Sequence, residues 1–458
     1  MPRLLIIKII FVVLILMQGV INMSKNIDEL KISIVPTDTV KPYDKNPREH
    51  SERQISKLAN AIKKRGFINP ITVDKNNVII AGHGRYEAAK LLKLTKIPVI
   101  IITHLSEAEI RIQRIADNQL GLTSSWNKHL NSEVVDLSVL SEIEIEDTGF
   151  ETPELDILLG YGAVKEDNDP DDDIPEPDNS SAVTKPGDIW QLRDHRIICG
   201  DAKKMATYQG LMGSAKADIV VTDPPYNVKI QGHVCGNGKN KHREFAEASG
   251  ELSDKEFENF LEAYMRQVAK FSRDGSIHYH FMDWRHSAHI LAAGNRVYSE
   301  LNNICVWAKT NGGMGSFYRS QHELVFVYKN GTKPHVNNIQ LGKFGNYRTN
   351  LWQYAGVNSF AGRKENGEDL LSLHPTVKPV AMLADAIKDC TKRGDIVLDP
   401  FAGSGSTLIA AERIGRVAYC IELDAKYCDI IVQRWQRMTG LEAYNPDSLV
   451  TFNELLDL

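Results

Sequence analysis

Between Gln54 and Phe67 the apolar side chains of QISKLANAIKKRGF fall three and four positions apart, and the run closes on Gly66. This spacing predicts an amphipathic helix ended by glycine. Short β-branched runs lie on either side of it, Ile32–Val35 and Pro70–Val73. Val78–Leu94 reads as strand, glycine turn and helix, and Ile97–Ile102 as another buried strand. These elements predict a small α+β domain within 23–127. From Lys185 onward the pattern changes. Apolar strands at 217–222, 304–309, 322–329, 395–401 and 417–423 alternate with amphipathic helices at 254–271, 380–393 and 406–415. That alternation predicts an α/β sheet with helices on both faces over 185–458. No internal repeat is visible.

Two stretches do not fit either pattern. From Glu151 to Asp178 the chain carries eleven acids against Lys165 alone, with Pro170, Pro175 and Pro177. With the residues before it, this reads as a helical and acidic linker at 128–184, solvated in its later part. Leu4–Ile21 is nearly continuous in apolar residues, broken by Lys8 and Gln18. Its length suits a membrane span or a signal-like segment. Met23 follows it and opens MSKNIDEL, so 1–22 is read as an upstream extension from a misassigned start.

Composition changes the picture little. The net charge is −5, so a nucleic-acid surface must be local. The six cysteines are scattered with no C-x-x-C, which argues against a zinc site or a disulfide framework and fits a reducing, cytoplasmic setting.

The candidate chemistry lies at two strand ends. The run Asp218–Val221 leads into Thr222-Asp-Pro-Pro-Tyr-Asn227. Two prolines cannot continue a central strand, since neither has an N–H to donate. The strand therefore stops while presenting Asp223 and Tyr226. The second end is Leu398-DPFAGSGST407, where a strand meets an acid, a glycine-rich turn and a helix. Glu422 ends the next strand about 20 residues on, where a dinucleotide-type fold places its ribose-binding acid. Asp223 and Asp399 are 176 positions apart in sequence. Each is expected at the carboxyl end of a parallel strand, where open α/β sheets bind ligands.

DPPY, DPFAGSGST and His374-PTVKP379 together resemble the S-adenosylmethionine-dependent DNA amino-methyltransferases of the permuted β group, which act on adenine N6 or cytosine N4. The resemblance covers roughly 185–435 and implies a Rossmann-like methyltransferase sheet. It implies catalytic roles for Asp223, Pro224, Pro225 and Tyr226. The Asp223 carboxylate and the Pro224 carbonyl would each accept one N–H of the target amine, and Tyr226 would stack on an extruded base. It gives Asp399, Phe401, Gly403 and Gly405 the wall around the methionine end of the cofactor, with Ala402, Ser404 and Thr407 in the same loop. Glu422 would accept the ribose hydroxyls. His374, Thr376 and Lys378 would close over the methionine carboxylate, and Asp201 would contact the adenine. No metal is required.

Target reading is expected at about 303–370. Between Asn303 and Lys364 eight basic residues stand against Glu323 alone, with Tyr318, Phe344, Tyr347, Trp352 and Tyr354 among them. Lys309, Arg319, Lys343, Arg348 and Arg363 are the candidate phosphate ligands on double-stranded DNA. Gly232–Gly250 reads as a loop that could close over DNA. The front domain resembles the N-terminal domain of ParB-like proteins through Asn46-PREH50, Gly66-FINPITV73, Ala81-GHGRYEAAKLL92 and Arg114-IADNQ119. That resemblance implies a nucleotide-phosphate site at Gly82, His83, Gly84 and Arg85, at a helix start. No helix-turn-helix module is evident after it. DPPY points to adenine N6 as the target. Cytosine N4, an RNA or protein amino group, and a regulatory ParB-like DNA-binding role remain as alternatives, and a homodimer stays open.

Overall fold

The computed structural model describes residues 30–122, 129–138, 148–159, 169–174, 181–228, 247–310, 312, 317–339, 348–355 and 377–456. The chain divides into two units, 1–151 and 152–458.

The front unit holds strands β1 (Ile32–Pro36), β2 (Ile71–Asp74), β3 (Ile79–Ala81) and β4 (Lys96–Ile102) in the order β1-β4-β2-β3. β2 and β4 run parallel, and the outer pairs are antiparallel. Helices α1 (Glu52–Arg65), α2 (His83–Leu91), α3 (Glu107–Leu122) and α4 (His129–Ser138) complete it. The Ser51 hydroxyl caps α1 by accepting from the Gln54 N–H, and Gly66 at φ +82° ends it, as the spacing predicts. Ile71, Val73, Ile79, Ile97, Val99 and Ala89 form the small core. Gly82, at φ +108°, turns β3 into α2, a backbone conformation that side chains other than glycine adopt at a cost.

The second unit begins with α5 (Thr152–Leu158) and is built on nine strands: β5 (Ile189–Leu192), β6 (His195–Cys199), β7 (Ala217–Thr222), β8 (Ser272–Met282), β9 (Glu300–Ala308), β10 (His322–Asn330), β11 (Leu351–Gln353), β12 (Ile396–Asp399) and β13 (Val417–Glu422). Their order is β11-β9-β10-β8-β7-β12-β13-β6-β5. The five central strands β8, β7, β12, β13 and β6 are parallel to one another, and β10 and β5 flank them antiparallel. Helices α6 (Met205–Met212), α7 (Asp254–Phe271), α8 (Ser287–Val297), α9 (Val380–Cys390), α10 (Ser406–Arg413), α11 (Ala425–Thr439) and α12 (Phe452–Leu456) complete the unit. Ser253 and Glu256 form a reciprocal capping box at the start of α7, and Phe257, Phe260, Leu261, Tyr264 and Met265 on its apolar stripe are buried. The chain passes from β7 to β8 on one side and from β12 to β13 on the other. The sheet therefore changes direction between β7 and β12, so the crevice opens where Asp223 and Asp399 end their strands.

The acidic stretch is not a solvated spacer where it is described. Asp169 is buried against Arg413, and Arg413 also meets Asp171 at 3.4 Å. Asp172 accepts the Val380 N–H at 2.8 Å, which satisfies a donor at the start of α9. Upstream, Asp156 forms a two-pronged pair with the buried Arg416 guanidinium at 2.9 and 3.0 Å. The acids are thus matched to arginines more than 200 positions away, which composition alone does not reveal. Asp156→Ala leaves the Arg416 charge buried with only neutral partners, and is expected to lower unfolding stability by about 3 kcal/mol in chemical denaturation.

Among the described residues no helix is long and apolar enough to cross a membrane, and Leu4–Ile21 lies outside them.

Candidate active site

Asp223 leaves β7 beside β12, and its carboxylate is the hub of a buried cluster. The Tyr226 hydroxyl donates to Asp223 Oδ1 at 2.6 Å and lies 3.2 Å from Glu323 Oε2. Lys378 Nζ reaches Asp223 Oδ2 at 2.5 Å and Glu323 Oε2 at 3.2 Å. The Lys309 ammonium holds the other oxygen of Glu323. Two carboxylates and two ammoniums therefore balance. Burial raises the pKa of Asp223 against the pull of Lys378. Burial also opposes ionisation of Glu323, but Lys378 and Lys309 outweigh it and hold Glu323 down to about 2. The prolines line the mouth and fix the Pro224 carbonyl next to the carboxylate.

A cavity of about 170 Å³ adjoins this cluster. Asp201, Asp223, Pro224, Pro225, Tyr226, Lys378, Asp399, Phe401, Ala402, Gly403, Ser404, Thr407 and Glu422 all line it. Gly405 does not. It turns the loop into α10 at φ +85°, where an added Cβ would meet Ile431 at 2.9 Å. Phe401 is braced edge-on by Tyr264, with centroids 4.9 Å apart. Glu422 accepts the N–H groups of Gly403 and Asp424 at 2.8 and 2.9 Å, so it shapes the glycine turn as well as facing the cavity. Arg434, unnoticed in the sequence, donates to the Ser404 carbonyl at 3.0 Å and to the Asp171 carbonyl at 2.6 Å, and fastens the loop from behind. Nothing in its helical context in α11 marks it out.

Several expected residues sit elsewhere or do other work. Lys378 lines the cavity, but its side chain is only 6 % exposed and its ammonium is paired with Asp223 and Glu323. Lys309 pairs with Glu323. Arg348 pairs with Asp389 at 2.5 Å and donates to the Tyr354 hydroxyl at 3.2 Å. Neither is a loose phosphate ligand, because acids that lie far off in sequence or count as a lone exception neutralise them. Arg319 stays at the surface and donates to the Gly312 carbonyl at 2.6 Å. His374, Thr376, Lys343 and Arg363 lie outside the described residues, as does most of Gly232–Gly250. In the front unit, His83 Nε2 accepts the Tyr43 N–H at 3.2 Å, and Arg85 reaches the Pro70 carbonyl at 3.4 Å from the start of α2.

Buried acids dominate the cavity. Burial pushes Asp399 up to about 6 and Glu422 up to about 7. A ligand that brings positive charge and hydroxyl donors relieves that penalty.

Comparison with known proteins agrees with this geometry. The DNA methylase family model (N6_N4_Mtase) matches residues 217–433, and the ParB N-terminal domain model matches 22–118. A third model, the ParB-methyltransferase HTH domain, matches 128–186. That match corrects the reading that no helix-turn-helix follows the front domain. The described helices there, α4 and α5, are short, and the acids of the stretch hide their periodicity. The ParB-like nuclease domain-containing protein YnaK of Escherichia coli (strain K12) is 40% identical over 82 residues, covering 18% of this chain and 94% of that protein. Type II methyltransferase M2.MboI of Moraxella bovis is 27% identical over 236 residues, covering 48% of this chain and 81% of the other. Among solved structures, the M1.HpyAVI-SAM complex aligns with a TM-score of 0.37 at 21% identity, over 52% of this chain and 98% of that one.

The second unit is a DNA methyltransferase of the N6/N4 class. The chain belongs to the ParB-like family through its front unit, and joins that ParB N-terminal domain to an N6/N4 DNA methylase domain whose family uses S-adenosylmethionine.

The residues present fit that cofactor. Asp399 would offer a carboxylate to its positive charge, Glu422 would offer acceptors for its ribose hydroxyls, and the cavity-lining loop at 401–404 would let backbone approach it. Asp399 and Glu422 would bind best when ionised, and burial holds them near 6 and near 7, so protonation of both would compete with binding as pH falls. Affinity for S-adenosylmethionine, read by calorimetry, is expected to fall by about tenfold or more between pH 7 and pH 5. Asp399→Asn is expected to weaken binding and reduce that dependence, leaving the part that Glu422 sets.

Proposed function

We propose that the chain transfers the methyl group of S-adenosylmethionine to the exocyclic N6 of adenine in double-stranded DNA. The observation that carries this reading is the Asp223–Tyr226–Lys378–Glu323 cluster at the mouth of the acid-lined cavity. When bound, the cofactor supplies an electrophilic methyl carbon on a sulfonium. Asp223 and the Pro224 carbonyl accept the two N–H bonds of the amine and turn its lone pair out of the ring plane toward that carbon. With the carbon–sulfur electron pair left on the cofactor's sulfur as that methyl is given up, Asp223 would take up the proton the nitrogen sheds. Its raised pKa suits that role. Tyr226 offers a ring face to the base while its hydroxyl holds Asp223 in place.

Adenine is favoured because the motif opens with aspartate, the form commoner among adenine enzymes of the resembled family. The test is transfer of labelled methyl to unmethylated DNA followed by digestion to nucleosides. N6-methyladenine is expected. N4-methylcytosine would keep the mechanism and change the base, and label on no DNA would overturn the reading.

For the front unit we infer a nucleotide phosphate at Gly82–Arg85. Support comes from Arg85 Nε, a buried donor with no hydrogen-bond partner, at a helix N-terminus. Arg85→Ala is expected to abolish binding of nucleoside triphosphates in equilibrium dialysis without changing methyl transfer to short duplexes.

A further inference from the structure

Phe317 and Tyr318 are 84 % and 85 % exposed, more than any other large apolar side chain among the described residues. Their rings lie 4.3 Å apart, centroid to centroid, so they stand in solvent as one aromatic block. The residues that follow the block are anchored. Trp284, 49 % exposed, donates its indole N–H to the Ser320 hydroxyl at 2.9 Å. The Arg285 guanidinium lies 4.9 Å from the Trp284 ring centroid, and Arg319 is held by the Gly312 carbonyl. Arg285 also lies 3.6 Å from Asp283, in a loose pair whose guanidinium side chain is 62 % exposed. An exposed aromatic ridge with two surface guanidinium groups near it suits a polyanion with flat apolar faces, which is nucleic acid.

Its place in the fold ties it to the catalytic cluster. Trp284 lies two residues beyond the end of β8, and residues 317–321 lead into β10. Leu324 of β10 pairs with Met282 of β8, and Thr222 of β7 pairs with His280. The ridge therefore rises from the same sheet edge as Asp223. Glu323, six residues beyond Phe317, touches Tyr226 and Lys378, so the ridge begins within about 21 Å of the carboxylates.

We propose that Phe317 and Tyr318 form a wedge that enters the DNA duplex beside the target base and fills the gap left when that base swings into the cavity. This rests on the reading of the cavity as a DNA amino-methyltransferase site. A paired base presents its amine to the opposite strand and its faces to its neighbours, out of reach of a buried carboxylate such as Asp223. It must leave the stack, and unstacking is costly. Aromatic side chains that take its place restore stacking to the neighbouring bases. Arg285 and Arg319 then meet the flanking phosphates.

The test uses the full chain. Positions methylated by the wild type in plasmid DNA give the recognition site. Rates are then measured for the wild type and for Phe317→Ala/Tyr318→Ala on two duplexes, one fully paired and one with an abasic position opposite the target base. Both side chains are exposed, so an unchanged thermal melt is expected of the variant. The wedge predicts a loss of about 10–100-fold in kcat/KM on the paired duplex and of about threefold or less on the abasic one, where the target is already half released. Equal losses on both duplexes would assign the pair to general DNA docking and overturn the proposal. So would the absence of loss on either. If the wild type transfers no methyl to DNA, the functional reading fails and the wedge fails with it. If the wild type methylates and the variant matches it, the wedge alone fails.

Discussion

Asp223→Ala is expected to lower the single-turnover rate of methyl transfer by about 10³-fold or more, while S-adenosylmethionine affinity stays within about threefold of the wild type. Two effects combine. The amine loses one of the two acceptors that pull its lone pair out of conjugation, and a preorganised group of this kind is worth about 10²–10³ in rate. It also loses the base that takes its proton, worth about 10²–10⁴. The effects belong to one group and do not simply multiply. Cofactor affinity is spared because Asp399 and Glu422 lie on other strands and keep their own partners. Asp223→Asn keeps an acceptor of the same shape and removes the charge and the basicity. Its rate should fall between those of the wild type and the alanine variant, at about 10²–10³-fold below wild type. If Asp223→Ala retains a tenth of wild-type activity, the carboxylate is not the group that prepares the amine.

The sequence made the two strand ends legible because their cause is local. Consecutive prolines stop a central strand wherever they occur, and Gly403 and Gly405 at φ +53° and +85° turn a strand into a helix by backbone freedom alone. Parallel pairing then puts Asp223 and Asp399 at the same end of neighbouring strands, as expected from the switch-point rule. What the sequence hid are partnerships set by register. Glu323 is the lone acid of a basic segment, and by composition it looks incidental. In the sheet it opens β10, antiparallel to β8, which carries it into the catalytic cluster. Lys309 and Arg348 looked like free positive charge for the same reason, and each meets an acid. The acidic stretch failed in the opposite sense. Its charges suggest solvent until Arg413, Arg416 and Arg434 arrive from the far end of the chain.

Glu323 should therefore control the chemistry without touching the substrate. Its charge repels that of Asp223 and contributes to the raised pKa there, while Lys378 acts in the other direction. Glu323→Gln preserves the shape and most hydrogen bonds but leaves Lys378 and Lys309 facing Asp223 alone. Asp223 then becomes a weaker base, and kcat is expected to fall by up to about tenfold. The direction of the pH effect follows from the charges. Removing a negative neighbour lowers the Asp223 pKa, so the acid limb of the rate profile should move to lower pH. Lys378→Met removes a positive neighbour and should move the same limb to higher pH, again with a large drop in rate. Opposite displacements by two substitutions in one cluster are hard to produce by loosening the fold, which would lower the rate and leave the profile in place. Rate profiles from pH 5 to 9 for the wild type and both variants make the comparison. If the acid limb stays fixed in both, Glu323 and Lys378 only scaffold the site. If the limbs separate, the two residues set the basicity of Asp223 from opposite sides.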